Sequence, residues 1–117
     1  MFSLLKPFIF KIDPEMAHDL AIKSLKYNFL PAEVFKVEHE EILETKIFKT
    51  KIKNPIGLAA GFDKSAEVYN SLFRFGFGFI EVGTVTPKKQ FGNPKPRVFR
   101  LEHDRALINR LGFNNDG

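Results

Sequence analysis

Hydrophobic positions fall into distinct textures along the chain, and each predicts a different local structure. Over residues 1–12 they are nearly continuous, at Phe2, Leu4, Leu5, Phe8, Ile9, Phe10 and Ile12, with Lys6 and Lys11 the only charges. As a helix this stretch reaches about 18 Å, against roughly 30 Å of bilayer hydrocarbon, so it can lie on a membrane but not span it. Lys11 within the run and the lack of a small-residue cleavage pattern argue against a removable signal peptide. Asp13-Pro14-Glu15 opens a second helix: Asp accepts orphan amide protons, Pro presets φ, and Glu faces the positive end of the dipole. That helix is predicted to run to about Tyr27, with Met16, Ala17, Leu20, Ala21, Ile22 and Leu25 as its apolar stripe and Pro31 marking its end. An acidic connector, Glu38, Glu40, Glu41 and Glu44, follows, and residues 1–44 read as an appended two-helix unit.

From Thr45 the pattern turns to β-prone alternation. Ile47 and Ile52 among Lys46, Lys49, Lys51 and Lys53 predict a hairpin that ends at Asn54-Pro55. Ile56 to Ala60 is a small-residue strand, Gly61-Phe62-Asp63-Lys64 a turn, and Ser65 to Phe75 a helical pattern on Val68, Leu72 and Phe73, closed by Gly76. Phe77 to Val82 reads as a second buried strand. Residues 56–83 therefore form one βαβ unit with parallel strands and a right-handed connection. The segment through Gly92-Asn93-Pro94-Lys95-Pro96 is irregular, and Arg97–Leu101 with Ala106–Asn109 form a hairpin tipped by His103-Asp104-Arg105. Two parallel strands cannot cover their own faces, and the chain stops among turn formers at Asn114-Asn115-Asp116-Gly117. The expectation is an N-terminal piece of a larger α/β sheet, with residues 45–117 as its first portion.

Composition narrows the chemistry. With 117 residues, 44% hydrophobic and 27% charged, the chain suits one modest core and not a disordered tail. The absence of cysteine excludes disulfide scaffolds, thiolate metal sites and cysteine nucleophiles. A net charge of +4 is small, and no arginine precedes Arg74, so no nucleic-acid partner is expected. Fourteen phenylalanines without tryptophan favour heavy apolar packing or a lipid-facing surface. His18, His39 and His103 are scattered with no metal-ligand spacing, so no metal is expected and all three are read as surface or capping groups.

Two stretches could carry chemistry. Ala60-Gly61-Phe62-Asp63-Lys64 sets a close-approach glycine and an ammonium at the carboxyl end of a strand, where α/β proteins bind ligands, and Thr84 occupies the same position after the next strand. The bland alternative is a tight turn with Asp63 as helix cap and Lys64 solvated. Asn109-Arg110-Leu111-Gly112-Phe113-Asn114-Asn115 gathers three carboxamides around a glycine and an aromatic, able to read the N–H and C=O edge of a planar heterocycle or simply to form a turn.

Taken in order, Asn54-Pro55-Ile56-Gly57-Leu58-Ala59-Ala60-Gly61-Phe62-Asp63-Lys64, Gly76-Phe77-Gly78, Glu81-Val82-Gly83-Thr84-Val85-Thr86-Pro87, Lys95-Pro96-Arg97 with Phe99-Arg100-Leu101, and Ile108 to Asn115 closely resemble the dihydroorotate dehydrogenase family. Residues 1–44 resemble the helical extension of its quinone-dependent, membrane-associated class. Lys89, where the family usually has proline, is a departure that bears on local loop shape. The resemblance implies a (β/α)₈ barrel of the TIM type that oxidises (S)-dihydroorotate to orotate in pyrimidine biosynthesis, with FMN as cofactor and ubiquinone as acceptor. It implies FMN contacts at Ala60, Gly61, Phe62, Asp63, Lys64 and Thr84, and substrate contacts at Lys64, Asn109, Arg110, Leu111, Gly112 and Phe113. It further implies membrane-surface association through residues 1–30, as a peripheral protein on the cytoplasmic face of a bacterial inner membrane. The catalytic base, a serine in this class, is expected beyond Gly117, which leaves these residues inactive alone. Two other readings remain open from the residues: an aldolase-like barrel with Lys64 as Schiff-base nucleophile, and a non-enzymatic membrane-surface module.

Overall fold

The computed structural model describes residues 2–29 and 37–117. Helix α1 spans Phe2–Ile9 and α2 spans Pro14–Lys26. The Asp13 carboxylate accepts the amide protons of Glu15 and Met16, both at 3.0 Å, so the cap predicted from the sequence forms. The helix ends at Lys26 with Tyr27 as its C-cap, where the apolar stripe predicts, and Pro31 lies outside the described residues. Among these residues no helix is long and apolar enough to cross a membrane.

A 3₁₀ turn, Glu41–Leu43, leads into the hairpin of β1 (Thr45–Ile47) and β2 (Thr50–Ile52), antiparallel as its alternation predicts. Strands β3 (Gly57–Leu58) and β4 (Phe79–Ile80) pair in parallel, Gly57 opposite Phe79 and Leu58 opposite Ile80. The ladder continues past the named strands through the Glu81 amide to the Leu58 carbonyl at 2.9 Å. The helix between them, α3, covers only Tyr69–Phe73 and not 65–75. Its early turns are lost because the buried Asp63 carboxylate takes the amides of Glu67 at 2.8 Å and Val68 at 2.9 Å, drawing residues 64–67 into a loop with Ala66 at φ +56°. The helix also ends earlier than expected, with Arg74 and not Gly76 at its C-cap: the Phe75 and Gly76 amides tighten into turn bonds to the Leu72 and Phe73 carbonyls, at 2.9 and 3.1 Å, and Gly76, at φ +91°, follows that turn. Strands β5 (Val98–Leu101) and β6 (Ala106–Asn109) form the second antiparallel hairpin. The result is a mixed α/β chain.

The core sits where α2 meets the βαβ unit. Leu25, Val68 and Leu72 are buried, with Ile22, Leu58, Phe62, Phe75, Phe77 and Ile80 packed around them. Polar contacts pin the same interface: the Ser71 hydroxyl donates to the Leu25 carbonyl at 3.0 Å, and Lys26 pairs with Glu67 at 2.6 Å. Arg100 donates to the Ile12 carbonyl at 2.7 Å and lies over the Phe10 ring at 4.9 Å, which ties the α1–α2 junction to β5.

Candidate functional site

The two parallel strands end together, and hydrogen bonds beyond them hold their exits in register. The Gly61 amide donates to the Gly83 carbonyl at 2.9 Å, and the Gly83 amide donates to the Asp63 carbonyl at 3.1 Å. This fixes Ala60–Lys64 against Thr84. Gly61 adopts φ +109°, a region that disfavours side chains, and a Cβ built on it would point into open space, so backbone is exposed to whatever enters.

A pocket of about 370 Å³ opens at these strand ends, within the ~300–1,000 Å³ typical of small-molecule sites. Its walls include Ala60, Gly61, Lys64 and Thr84 on one side and Asn109, Arg110, Leu111, Gly112 and Phe113 on the other. Nine of the residues singled out in the sequence thus surround one cavity. Phe62 and Asp63 do not line it: the Phe62 ring packs edge-on against His18 at 5.2 Å, and Asp63 is buried as the cap of Glu67 and Val68. The Arg110 guanidinium folds back to the Pro96 carbonyl, at 3.0 and 3.2 Å.

A larger cleft, about 810 Å³, lies between α2 and the same loops, bounded by Glu15, His18 and Ile22 on the helix and by Phe62, Arg97 and Arg100 opposite. The two cavities share Gly61, Lys64, Leu111 and Asn114 as walls. Lys64 is half-buried, and its ammonium donates to the Asn114 carboxamide oxygen at 2.6 Å. Burial first, and the Arg97 guanidinium second, lower its pKa below the ordinary lysine range, while Glu15 acts in the opposite direction.

Several groups at the site escaped the reading of the sequence. Asn115 is buried, and its carboxamide oxygen accepts the Thr86 amide at 3.0 Å while its nitrogen donates to the Lys64 carbonyl at 3.1 Å, so it joins both strand exits. The carboxamide run containing it was visible, its inward role was not. His18, read as a surface or capping group, is partly exposed but also reaches a distant loop: Nε2 donates to the Phe62 carbonyl at 2.7 Å, which places a proton on that nitrogen. The available signal was its spacing, since His18 shares a helical face with Ala21, Ile22 and Leu25. His39 pairs with Glu44 and His103 with Asp104, both away from the cavities.

Residues 42–117 match the family model described as dihydroorotate dehydrogenase. Proteins named dihydroorotate dehydrogenase (quinone) are similar along nearly the whole chain. The one from Agrobacterium fabrum is 54% identical over 109 residues, 93% of this chain and 30% of its own length. The one from Bartonella tribocorum is 59% identical over 109 residues, 93% of this chain and 29% of its own. Among solved structures, DHODH from Eimeria tenella in complex with ferulenol superposes with a TM-score of 0.82 at 49% identity, covering 90% of this chain and 27% of that one. The chain thus spans about 30% of the length of the relatives it matches, and by its sequence and its fold it belongs to the dihydroorotate dehydrogenase family.

Proposed function

We propose that this chain forms the opening portion of a (β/α)₈ barrel that oxidises dihydroorotate to orotate with FMN and passes the electrons to a quinone. The observation that carries this reading is the shared wall: Lys64, held on Asn114, stands between a pocket rimmed by carboxamides and a cleft floored by an amphipathic helix. A redox site serving a polar substrate and an apolar acceptor needs two approaches to one centre, and Gly61 with Lys64 borders both.

The residues suit FMN. Exposed backbone at Gly61, an ammonium in a partly dry setting and Thr84 beside it form a cradle for a planar, electron-accepting ring. When bound, the cofactor supplies the two-electron chemistry, taking electrons from dihydroorotate and yielding them to quinone. The chain's own part is electrostatic and positional. Lys64 favours negative charge on the ring and attracts the substrate carboxylate, with a strength that grows as water is excluded. Asn109 and the backbone of 110–113 read the pyrimidine edge, which alternates donors and acceptors. On the other side, α1 and α2 present apolar surface to a membrane and bound the quinone's approach, in keeping with residues 1–44 as an access unit. Leu4 and Phe8 stand 77% and 69% exposed on α1 with no core of their own.

The test joins this chain in frame to the part of the Agrobacterium fabrum relative that follows its matched segment. The joined protein is expected to purify yellow, to release FMN on denaturation and to reduce a short-chain quinone with dihydroorotate. A colourless product that cannot be reconstituted with FMN would overturn the reading.

A further inference from the structure

We infer that Glu15, on helix α2, is a positioning residue for the substrate loop, acting through a buried ion pair and two segments of backbone. This rests on the assignment of the smaller pocket to orotate, and extends it to a residue outside that pocket.

The path consists of contacts between residues far apart in sequence. Glu15 Oε1 accepts Arg97 Nε at 2.8 Å, and the two side chains are only 15% and 8% exposed. Lys95 lies 3.4 Å from the other carboxylate oxygen. With its Nε committed to Glu15, the Arg97 guanidinium turns its other arm to the carbonyls of Phe91 at 2.5 Å and Asn93 at 3.0 Å, which gathers the irregular loop 91–97 around one buried cation. That loop in turn holds the wall of the pocket. The Arg97 carbonyl accepts the Arg110 amide at 2.8 Å, and the Asn93 amide donates to the Leu111 carbonyl at 3.0 Å. Asn93 Nδ2 donates to the Arg110 carbonyl at 2.6 Å and lies where a Cβ on Gly112 would meet it, at 2.8 Å.

Physical chemistry gives the chain of contacts its direction. A buried guanidinium without its carboxylate is costly, so Arg97 cannot keep its geometry once Glu15 loses charge. It must reach for solvent, and in doing so it releases the two carbonyls that shape loop 91–97. Among the described residues, 110–112 have few other hydrogen-bonded anchors: apart from loop 91–97, the Leu111 amide donates to the Asn109 side chain at 3.4 Å. A small shift there is felt at the pocket, because Arg110, Leu111 and Gly112 are its wall. The Gly61–Gly83 bonds at the strand ends do not pass through this path. Substrate and cofactor should therefore respond differently.

The experiment is a double-mutant cycle in the joined protein, with orotate as the probe and bound FMN counted in every variant. Glu15→Gln removes the charge while keeping the shape, and Asn93→Ala removes the carboxamide that reaches from the loop to the Arg110 carbonyl and itself borders the pocket. Each alone is expected to weaken orotate binding about tenfold, with FMN content near one per chain. Together they should lose no more than the larger single loss, because both interrupt one path. Additive losses, or a Glu15→Gln protein that binds orotate like wild type, would overturn the inference. If Glu15→Gln fails to fold, Asn93→Ala combined with Glu15→Asp, whose carboxylate keeps the charge at shorter reach, supplies the cycle under the same criteria. A wild-type joined protein that holds FMN but no orotate would instead refute the site assignment on which the inference stands.

Discussion

Lys64 shows how one residue acquires properties that its type alone does not predict. A lysine following a strand is ordinarily solvated, yet here it is half-buried, its ammonium is spent on Asn114, and its backbone carbonyl is held by Asn115. Replacing it with alanine in the joined protein removes the only ammonium that lines the smaller pocket among the described residues, and turnover at saturating substrate is expected to fall by about 10²–10³-fold. Turnover near that of the wild type would contradict the electrostatic role. The lowered pKa adds a second readout. Burial, then Arg97, disfavours the charged form, so the ammonium gives up its proton at a lower pH than an ordinary lysine does. In the joined protein orotate affinity is expected to be full below that shifted pKa and to decline as pH rises through it, so the alkaline limb should begin short of the usual lysine range. Lys64→Arg, whose guanidinium stays protonated, should bind less well at neutral pH but hold its affinity to higher pH. Coincident alkaline limbs in the two proteins would assign the titration to another group.

At the scale of elements, what the sequence made legible was whatever a few neighbouring residues decide. The α2 opening was readable because Asp13, Pro14 and Glu15 settle a cap among themselves. The β1–β2 and β5–β6 hairpins were readable because alternation and turn formers adjoin. The α3 start was misjudged because Asp63 reaches four and five residues ahead, a competition invisible to hydrophobic period. His18 with Phe62 and Glu15 with Arg97 were out of reach for a stronger reason: 44 and 82 residues separate the partners, and only the packed fold unites them. Helix α1 poses the converse problem, since its apolar residues were obvious and, among the described residues, most of them find no cover. Leu4, Leu5 and Phe8 remain exposed, beside Lys6 over Phe10 at 4.9 Å. Apolar surface flanked by lysine suits an anionic lipid interface. Burying such side chains contributes roughly 1.5–3 kcal/mol each, so Leu4→Ser, Leu5→Ser and Phe8→Ser combined should cut co-sedimentation of the joined protein with anionic vesicles at least about tenfold. Unchanged sedimentation would remove α1 from the interface.

For the whole molecule the controlling quantity is uncovered surface. The chain exposes 9296 Å², whereas a compact monomer of its mass exposes about 6,500 Å². Part of this surface borders the sheet elements. Among the described residues β3 and β4 each have only one strand neighbour, every residue of β6 is exposed, and Ile56, Val82, Leu107 and Ile108 are exposed. Unpaired edges beside apolar side chains recruit other chains. Against this, the buried apolar core comprises Leu25, Val68 and Leu72 with a partly covered ring around them, too little to make unfolding sharply cooperative. The 117 residues on their own are therefore expected to self-associate at micromolar concentration, to bind a hydrophobic dye and to melt over a broad range. The joined protein, with its sheet continued, should show a single sharp transition and little dye binding. Analytical ultracentrifugation and calorimetry on the two side by side decide the matter. A 117-residue chain that sediments as a monomer and unfolds with equal calorimetric and van't Hoff enthalpies would mean that these surfaces tolerate water, and that the helical unit and the βαβ unit suffice as an independent fold.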